Sequence, residues 1–252
     1  QSNKDLIIFL KERGFKPGTI IDVGVATGTP DIYCLSDEAT LVLVEPVIEF
    51  REYINEIQKK RETLVYYGAA SSEDGELKLW VTPDMTTSSF LVPMNATNDA
   101  KQRTVPCWKL DTLRRQDNWH GPYLLKIDVQ GAELHVLDGA LEVLKQTEIV
   151  LLEVSLFSFT PGLPDFFDVI SYMKQRGFVA YDMFNGHNRP LDRARGQIDV
   201  AFVKENGIFR KDTRWGTSEQ CKEFLEWKFA RESYQKINPN FIKESLRTEA
   251  VA

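Results

Sequence analysis

Cysteine and histidine are scarce in this chain of 252 residues, three of each. Cys34, Cys107 and Cys221 lie far apart, show no metal-ligand spacing and leave one thiol over in any pairing, so they predict neither a disulfide framework nor a zinc site. Reduced thiols fit a cytoplasmic setting. Long apolar runs are missing too: the stretch Ile149–Val154 is far shorter than the roughly 20 residues that cross a bilayer. There is no excess of positive charge. Acidic residues outnumber basic ones 37 to 31, for a net charge of -6, which argues against nucleic acid as a partner, because that affinity comes mainly from clustered Lys and Arg. No basic segment followed by an apolar run opens the chain, so no secretory signal is read.

What is present is an ordinary globular composition, 42% hydrophobic and 27% charged, of a length that suits one large α/β domain with a tail. An opening helix over 4–14 closes at Gly14. Short β-branched runs then alternate with amphipathic stretches, the pattern of parallel βαβ units. The expected strands are Thr19–Val23, Leu41–Glu45, Thr63–Gly68, Tyr123–Asp128 and Glu148–Val154. Residues 46–60 and 131–146 read as crossover helices; in the second, Leu134, Leu137, Leu141 and Leu144 recur at helical spacing. Residues 75–83 alternate with period two and predict an edge strand, and Pro83–Thr104 reads as a long loop of a length usually reserved for function. Farther on come a helix over 164–178, a strand over 179–184, a turn-rich stretch over 185–197 and a last strand over 198–206. So short a link makes those two strands antiparallel. A charged helix is expected over 218–237.

The chemistry begins at Asp22-Val23-Gly24-Val25-Ala26-Thr27-Gly28, directly after the first strand, where open α/β sheets bind ligands. A dinucleotide turn wants Gly-x-Gly-x-x-Gly, and a P-loop wants Gly-Lys-Ser/Thr. This stretch has neither, and its acid opposes a nearby phosphate. An adenosine cofactor without phosphate fits better, and S-adenosylmethionine is the candidate: the chain folds closely round its methionine part, and Asp22 organises the turn or accepts from its ammonium. Glu45, at the end of the second strand, is placed to take both ribose hydroxyls. The plainer reading is a tight strand-to-helix connection with Glu45 as an exposed strand end.

With Lys126-Ile127-Asp128-Val129-Gln130-Gly131-Ala132-Glu133 and the run Ile149–Ser155 added, the sequence resembles the FkbM-type methyltransferases, a family of class I S-adenosylmethionine-dependent enzymes, over roughly Thr19 to Lys204. Val25 and Ala26 depart from the family's Asp-Val-Gly-Ala-Asn-x-Gly, whereas Asp22, Gly24 and Gly28 match. The resemblance implies a Rossmann-like α/β fold: a seven-stranded, mostly parallel sheet with helices on both faces and its last strand antiparallel, inserted between the fifth and sixth. With the length and the flanking helical stretches, the expected organisation is one methyltransferase domain over 1–210 (N-terminal helix 4–14, core 19–204) followed by a helical extension over 211–252. The resemblance makes Asp22, Gly24, Val25, Ala26, Thr27 and Gly28 the cofactor turn, Glu45-Pro46 the ribose site, Ala69 and Ala70 the neighbours of adenine, Asp128 the residue facing the methyl group and Val129 a further cofactor contact. Glu133 serves equally well as a first-turn acid favoured by the helix dipole.

Methyl transfer from a sulfonium is an in-line displacement in which the cofactor carries the hard chemistry. A hydroxyl acceptor also needs a base. Asp128 is one candidate; pairing with Lys126 would make it structural instead, although two residues on one strand face would crowd each other. His187, in the turn-rich connection, is the other, ahead of His135 in a helix and His120 in a loop. Ser88, Ser89, Gln130, Glu153 and Arg189 are candidate acceptor contacts, with Arg189 and Asp192 equally able to brace the hairpin. Ser88-Ser89-Phe90, near Trp80, suggests a lid or acceptor wall. Asp128, Glu153, Asp182 and Asp199 stand near strand ends, where a divalent metal is conceivable; none is expected. The overall expectation is a cytoplasmic O-methyltransferase acting on a hydroxyl of a sugar, glycan precursor or secondary metabolite, with no nucleic-acid or membrane partner and with a homodimer or neighbouring synthase domains as conceivable associates. The rivals are an N-methyltransferase, a non-catalytic cofactor-binding module and a dinucleotide oxidoreductase.

Overall fold

In the computed structural model, residues 2–83, 85–86, 88–89, 100–159 and 162–237 are described, the last eight by their backbone alone. In chain order the elements are α1 (Asn3–Glu12), β1 (Thr19–Val23), α2 (Pro30–Tyr33), β2 (Thr40–Val44), α3 (Arg51–Gln58), β3 (Thr63–Tyr66), β4 (Ala69–Ala70), β5 (Gly75–Val81), β6 (Lys101–Trp108), α4 (Leu110–Asp117), β7 (Tyr123–Ile127), α5 (Glu133–Asp138), α6 (Leu141–Gln146), β8 (Thr147–Ser155), α7 (Phe166–Gln175), β9 (Phe178–Asn188), β10 (Arg195–Lys204) and α8 (Ser218–Ile237).

The principal sheet has seven strands in the order β3-β2-β1-β7-β8-β10-β9. β10 runs antiparallel to both its neighbours, β8 and β9, so the last strand is inserted between the fifth and sixth as expected. Its central strands are mostly apolar, Asp22 of β1 and Lys126 of β7 being exceptions, because both faces are covered. Ile21, Leu125, Val150 and Leu152 pack on α4–α7 through Leu113, Val136, Leu144 and Met173. Ile20, Leu124, Ile149 and Leu151 point the other way, on to Leu6, Leu10, Ile32 and Ile54 of α1–α3. Serine and aspartate N-caps close capping boxes that start α1 (Ser2 with Asp5) and α7 (Asp165 with Asp168).

Several expectations need correction. β3 stops at Tyr66, and β4 joins β5 and β6 in a separate three-stranded sheet, order β4-β6-β5. The end of the expected long loop, Lys101–Thr104, is therefore strand. Pro106 hides β6 from a sequence reading, since proline normally argues against a central strand; here β4 pairs only at Cys107 and Trp108. The helix expected over 131–146 breaks into α5 and α6 at Gly139, where any Cβ would lie 2.0 Å from the Ser71 carbonyl oxygen. β9 and β10 reach into the stretch read as turn, leaving 189–194 as the link.

The chain divides into two units, 1–210 and 211–252. In the second, Thr217 and Gln220 exchange hydrogen bonds at the start of α8, and Phe224 touches the rings of Trp215 and Trp227. The three cysteines are unbridged. No described helix is long and apolar enough to cross a membrane.

Candidate active site

Strand register builds the site. Val23 of β1 pairs with Val44 of β2 and Ile127 of β7, Ile127 pairs with Leu152 of β8, and Glu153 pairs with Asp199 of β10. One step past those pairs, Glu45, Gly24, Asp128, Glu153 and Asp199 stand in a single row across the carboxyl edge of the sheet. Backbone bonds continue the ladder into the row: Gly24 N–H donates to Val44 O (3.0 Å), Asp128 N–H to Val23 O (2.9 Å) and Glu45 N–H to Tyr66 O (3.0 Å).

Gly24 must be glycine. Its φ is +77°, and a Cβ would lie 1.9 Å from the Asp128 carbonyl oxygen. Asp22, fully buried, lies behind the turn and organises it. Its carboxylate accepts from Tyr33 Oη (2.5 Å), Thr29 Oγ1 (3.1 Å) and Lys126 Nζ (3.1 Å). Burial, and then Asp22, keep the Tyr33 phenol above its ordinary pKa and therefore a donor. Lys126 also lies 3.6 Å from Asp128 Oδ2, so the pairing that seemed too crowded does occur: the ammonium contacts both acids where β7 ends, at Ile127. Burial works against the Lys126 charge, but Asp22 and Asp128 outweigh it and raise its pKa.

Ala26 stands where a glycine would be expected and is left-handed, at φ 46°. Its N–H donates to Glu45 Oε2 (2.9 Å), and Val47 N–H donates to Glu45 Oε1 (2.7 Å). Glu45 is buried, 3% exposed; burial raises its pKa against the pull of those amides. The strand-end acid is thus built into the turn, not left in solvent.

Two adjoining cavities lie over this row. The larger, about 350 Å³, is lined by Glu45, Pro46, Ala69 and Ala70, by Asp128, Val129, Gln130, Glu153, His187 and Gln197, and by Ser88 and Ser89. Among the described residues neither Lys nor Arg lines it. The smaller, about 260 Å³, is walled by Val25, Thr27, Gly28, Lys126, Phe184 and Asp199. Gly24, Ala26, Asp128 and Glu153 face both. Ser89 is pinned by backbone bonds to Trp80 (2.8 and 3.2 Å) and by its hydroxyl to Gln130 O (3.2 Å); Phe90 lies outside the described residues.

The other expected residues divide between the cavity and the surface around it. His187 lines the larger cavity, from β9 and not from a loop, because that strand runs on to Asn188. Arg189 lines neither cavity: its guanidinium is on Asp192 and over the Phe157 ring, 4.0 Å from the centroid. Asp182 pairs with Ala201, away from the row. Among the described residues no group of three or more His, Cys, Asp or Glu is arranged to hold a metal. Gln197 went unread, because its place beside Glu153 depends on β10 lying against β8.

Glu133 is buried, 4% exposed, and its Oε1 accepts from the N–H groups of Val129 (3.1 Å) and Gly131 (3.0 Å), fixing the left-handed turn at Gln130 and Gly131. Burial, with Asp128 nearby, lifts its pKa to about 7. A carboxyl whose folded pKa exceeds its unfolded value binds more protons when folded, so its contribution to stability falls as pH rises from the ordinary 4.5 through about 7. Glu133→Gln keeps Oε1 and drops the charge. It is expected to gain stability over the parent across that window by roughly 1–3 kcal/mol. Urea unfolding at acidic and mildly alkaline pH measures this; a gap that does not change with pH counts against it.

The profile of the methyltransferase FkbM domain matches residues 22–180, more than half of the chain. The chain belongs to the FkbM methyltransferase family. The match spans the glycine turn, Glu45, Asp128 and Glu153 but ends before His187 and Gln197, so the FkbM region supplies most of the row and the following hairpin completes it. A search of curated proteins returned no significant match. Solved structures similar to the chain include the fibrillarin pre-rRNA processing protein of Methanococcus jannaschii (10% identity, 82% of this chain and 77% of that one, TM-score 0.46). An rRNA methylase of Streptococcus thermophilus (10%, 79% and 94%, 0.44) and the magnesium protoporphyrin IX methyltransferase of Synechocystis PCC 6803 (9%, 80% and 77%, 0.42) are similar to it at comparable levels.

Proposed function

We propose that this FkbM-family chain transfers a methyl group from S-adenosylmethionine to a hydroxyl of a small molecule, a sugar, glycan precursor or secondary metabolite. The observation that carries the cofactor is Glu45. Its oxygens take the backbone N–H groups of Ala26 and Val47, with Val25 as a third backbone donor, and a carboxylate has about four lone-pair sites, which still leaves room for a ribose hydroxyl to donate. The cavity wall, acidic and free of Lys and Arg among the described residues, suits a cofactor without phosphate and with a positive charge. Gly24 provides the close backbone approach, and Ala69 and Ala70 offer a small apolar wall for a base. Bound there, the cofactor supplies a methyl group already activated by its sulfonium.

The acceptor side is polar and rich in both donors and acceptors: Gln130, Gln197 and His187 beside the carboxyls of Asp128 and Glu153. Such a wall suits hydroxyl groups, which donate and accept. The same carboxyls would also hold an ammonium, which keeps an amine acceptor as the second reading. Labelled methyl donor offered to panels of sugars and amines tests the acceptor class. For the cofactor, Glu45→Ala is expected to weaken S-adenosylhomocysteine binding by about 10- to 100-fold, near 1.4–3 kcal/mol for lost charge-assisted hydrogen bonds, whereas Glu133→Gln leaves it nearly unchanged. Calorimetry measures both, and equal losses would remove the ribose role from Glu45. Saturable NADH binding without S-adenosylhomocysteine binding would overturn the methyltransferase reading.

A further inference from the structure

Glu153 is held differently from the other acids of the row. Its Oε2 accepts from two carboxamides, Gln130 Nε2 (3.2 Å) and Gln197 Nε2 (2.9 Å), one from the β7–α5 turn and one from β10. Its Oε1 takes no hydrogen bond among the described residues, and the residue faces both cavities. The carboxyl is therefore oriented from behind with one oxygen presented to the ligand space. Asp128, by contrast, has Lys126 at 3.6 Å and Gln130 Nε2 at 3.0 Å, so its charge is already compensated.

We propose that Glu153 is the proton-accepting carboxyl of the site, and that it is switched on by the positive charge of the bound methyl donor. This rests on the S-adenosylmethionine reading above. Without ligand, Glu153 is surrounded by like charge: Asp128 after β7, Asp199 on β10 and Glu133 on α5, with Lys126 on β7 as the facing cation and His187 on β9 near Asp199. Burial first, then those acids, push its carboxyl to about 8, so the resting group is mostly neutral near pH 7. A sulfonium placed in the same cavity reverses the balance and expels the proton to solvent. The carboxylate then takes the acceptor's hydroxyl proton as the acceptor oxygen bonds the methyl carbon and the carbon–sulfur bond breaks. Products are the methyl ether, neutral S-adenosylhomocysteine and a protonated Glu153, which is the resting state again. Charge and atoms balance without any other reactant.

The test needs no acceptor. S-adenosylmethionine and S-adenosylhomocysteine are titrated separately into the full chain near pH 7, each in two buffers of different ionisation heat, so that calorimetry counts protons. A nearby opposite charge lowers a carboxyl by one unit or more. For a drop of one to two units from about 8, S-adenosylmethionine is expected to release roughly 0.4–0.8 proton and S-adenosylhomocysteine close to none. Glu153→Gln should abolish the release while still binding S-adenosylhomocysteine. If that variant does not fold, Gln197→Leu replaces it: with one donor to Oε2 gone, the pH of greatest release should move upward. Equal release by both ligands, or release that survives in Glu153→Gln or does not move in Gln197→Leu, overturns the role of Glu153 and leaves the methyltransferase reading intact. Failure of both ligands to bind overturns that reading and this one with it.

Discussion

Gly24→Ala is expected to cost roughly 2–5 kcal/mol of stability and to abolish S-adenosylhomocysteine binding in whatever fraction still folds. Two effects add. A side chain at φ +77° pays about 1–2 kcal/mol for the left-handed backbone. The new methyl would also lie 1.9 Å from the Asp128 carbonyl oxygen; that atom belongs to the backbone and cannot rotate away, so β1 and β7 must part at their ends, where overpacking costs another 1–3 kcal/mol or more. Against a typical total of 5–15 kcal/mol, this is a large share. Gly28→Ala is the control. Its φ is +94°, but the nearest atom is the Ile57 Cδ1 tip at 2.9 Å, which a rotamer change can move. Urea unfolding of both variants should rank Gly24→Ala well above Gly28→Ala, and equal costs would show that the backbone contact does not matter.

Lys126→Met is expected to cost about 3–5 kcal/mol, the usual penalty for leaving one buried charge without its partner. Asp22 is fully buried, and Lys126, with 14% of its side chain exposed, is the cation that faces it. Two hydroxyl donors, from Tyr33 and Thr29, cannot replace that charge, and the Gly24 carbonyl loses its Lys126 contact at 3.4 Å. The double variant Asp22→Asn/Lys126→Met removes both charges and should recover part of the loss, since contacting residues do not add. Measured by denaturant titration, a double variant no better than the single one would mean that the ammonium acts through packing, not charge. A single variant within about 0.5 kcal/mol of the parent, the range of ordinary surface changes, would remove the buried-pair account entirely.

The parallel core was legible because its strands are short apolar runs between glycine or polar breaks: β1 was read to the residue, and α8 likewise. The places of the turn after β1, of Glu45 after β2 and of Asp128 after β7 followed, since they are local consequences of strand ends. What escaped depends on contacts distant in sequence. β6 was hidden by Pro106, and the break at Gly139 by an unbroken leucine period that ignores the Ser71 carbonyl. His187 was read as a loop residue because glycine and asparagine surround it; pairing with β10 holds that stretch extended nonetheless. Gln197 carried no local signal at all. The row of acids was visible as separate residues, but its alignment is a property of register, which sequence periodicity does not reveal.

The position of β10 has a consequence for how the protein is made. Residues 22 to 153 contain the turn, Glu45 and the row as far as Glu153, yet until residue 204 or so leaves the ribosome β8 has an unpaired edge, and β9 has no neighbour to join. Glu153 has only one of its two carboxamides until then. Glu45, Gly24 and Asp128 therefore belong to strands made early, and the row is complete only once the last strand lies between two others and brings Asp199 and Gln197 beside Glu153.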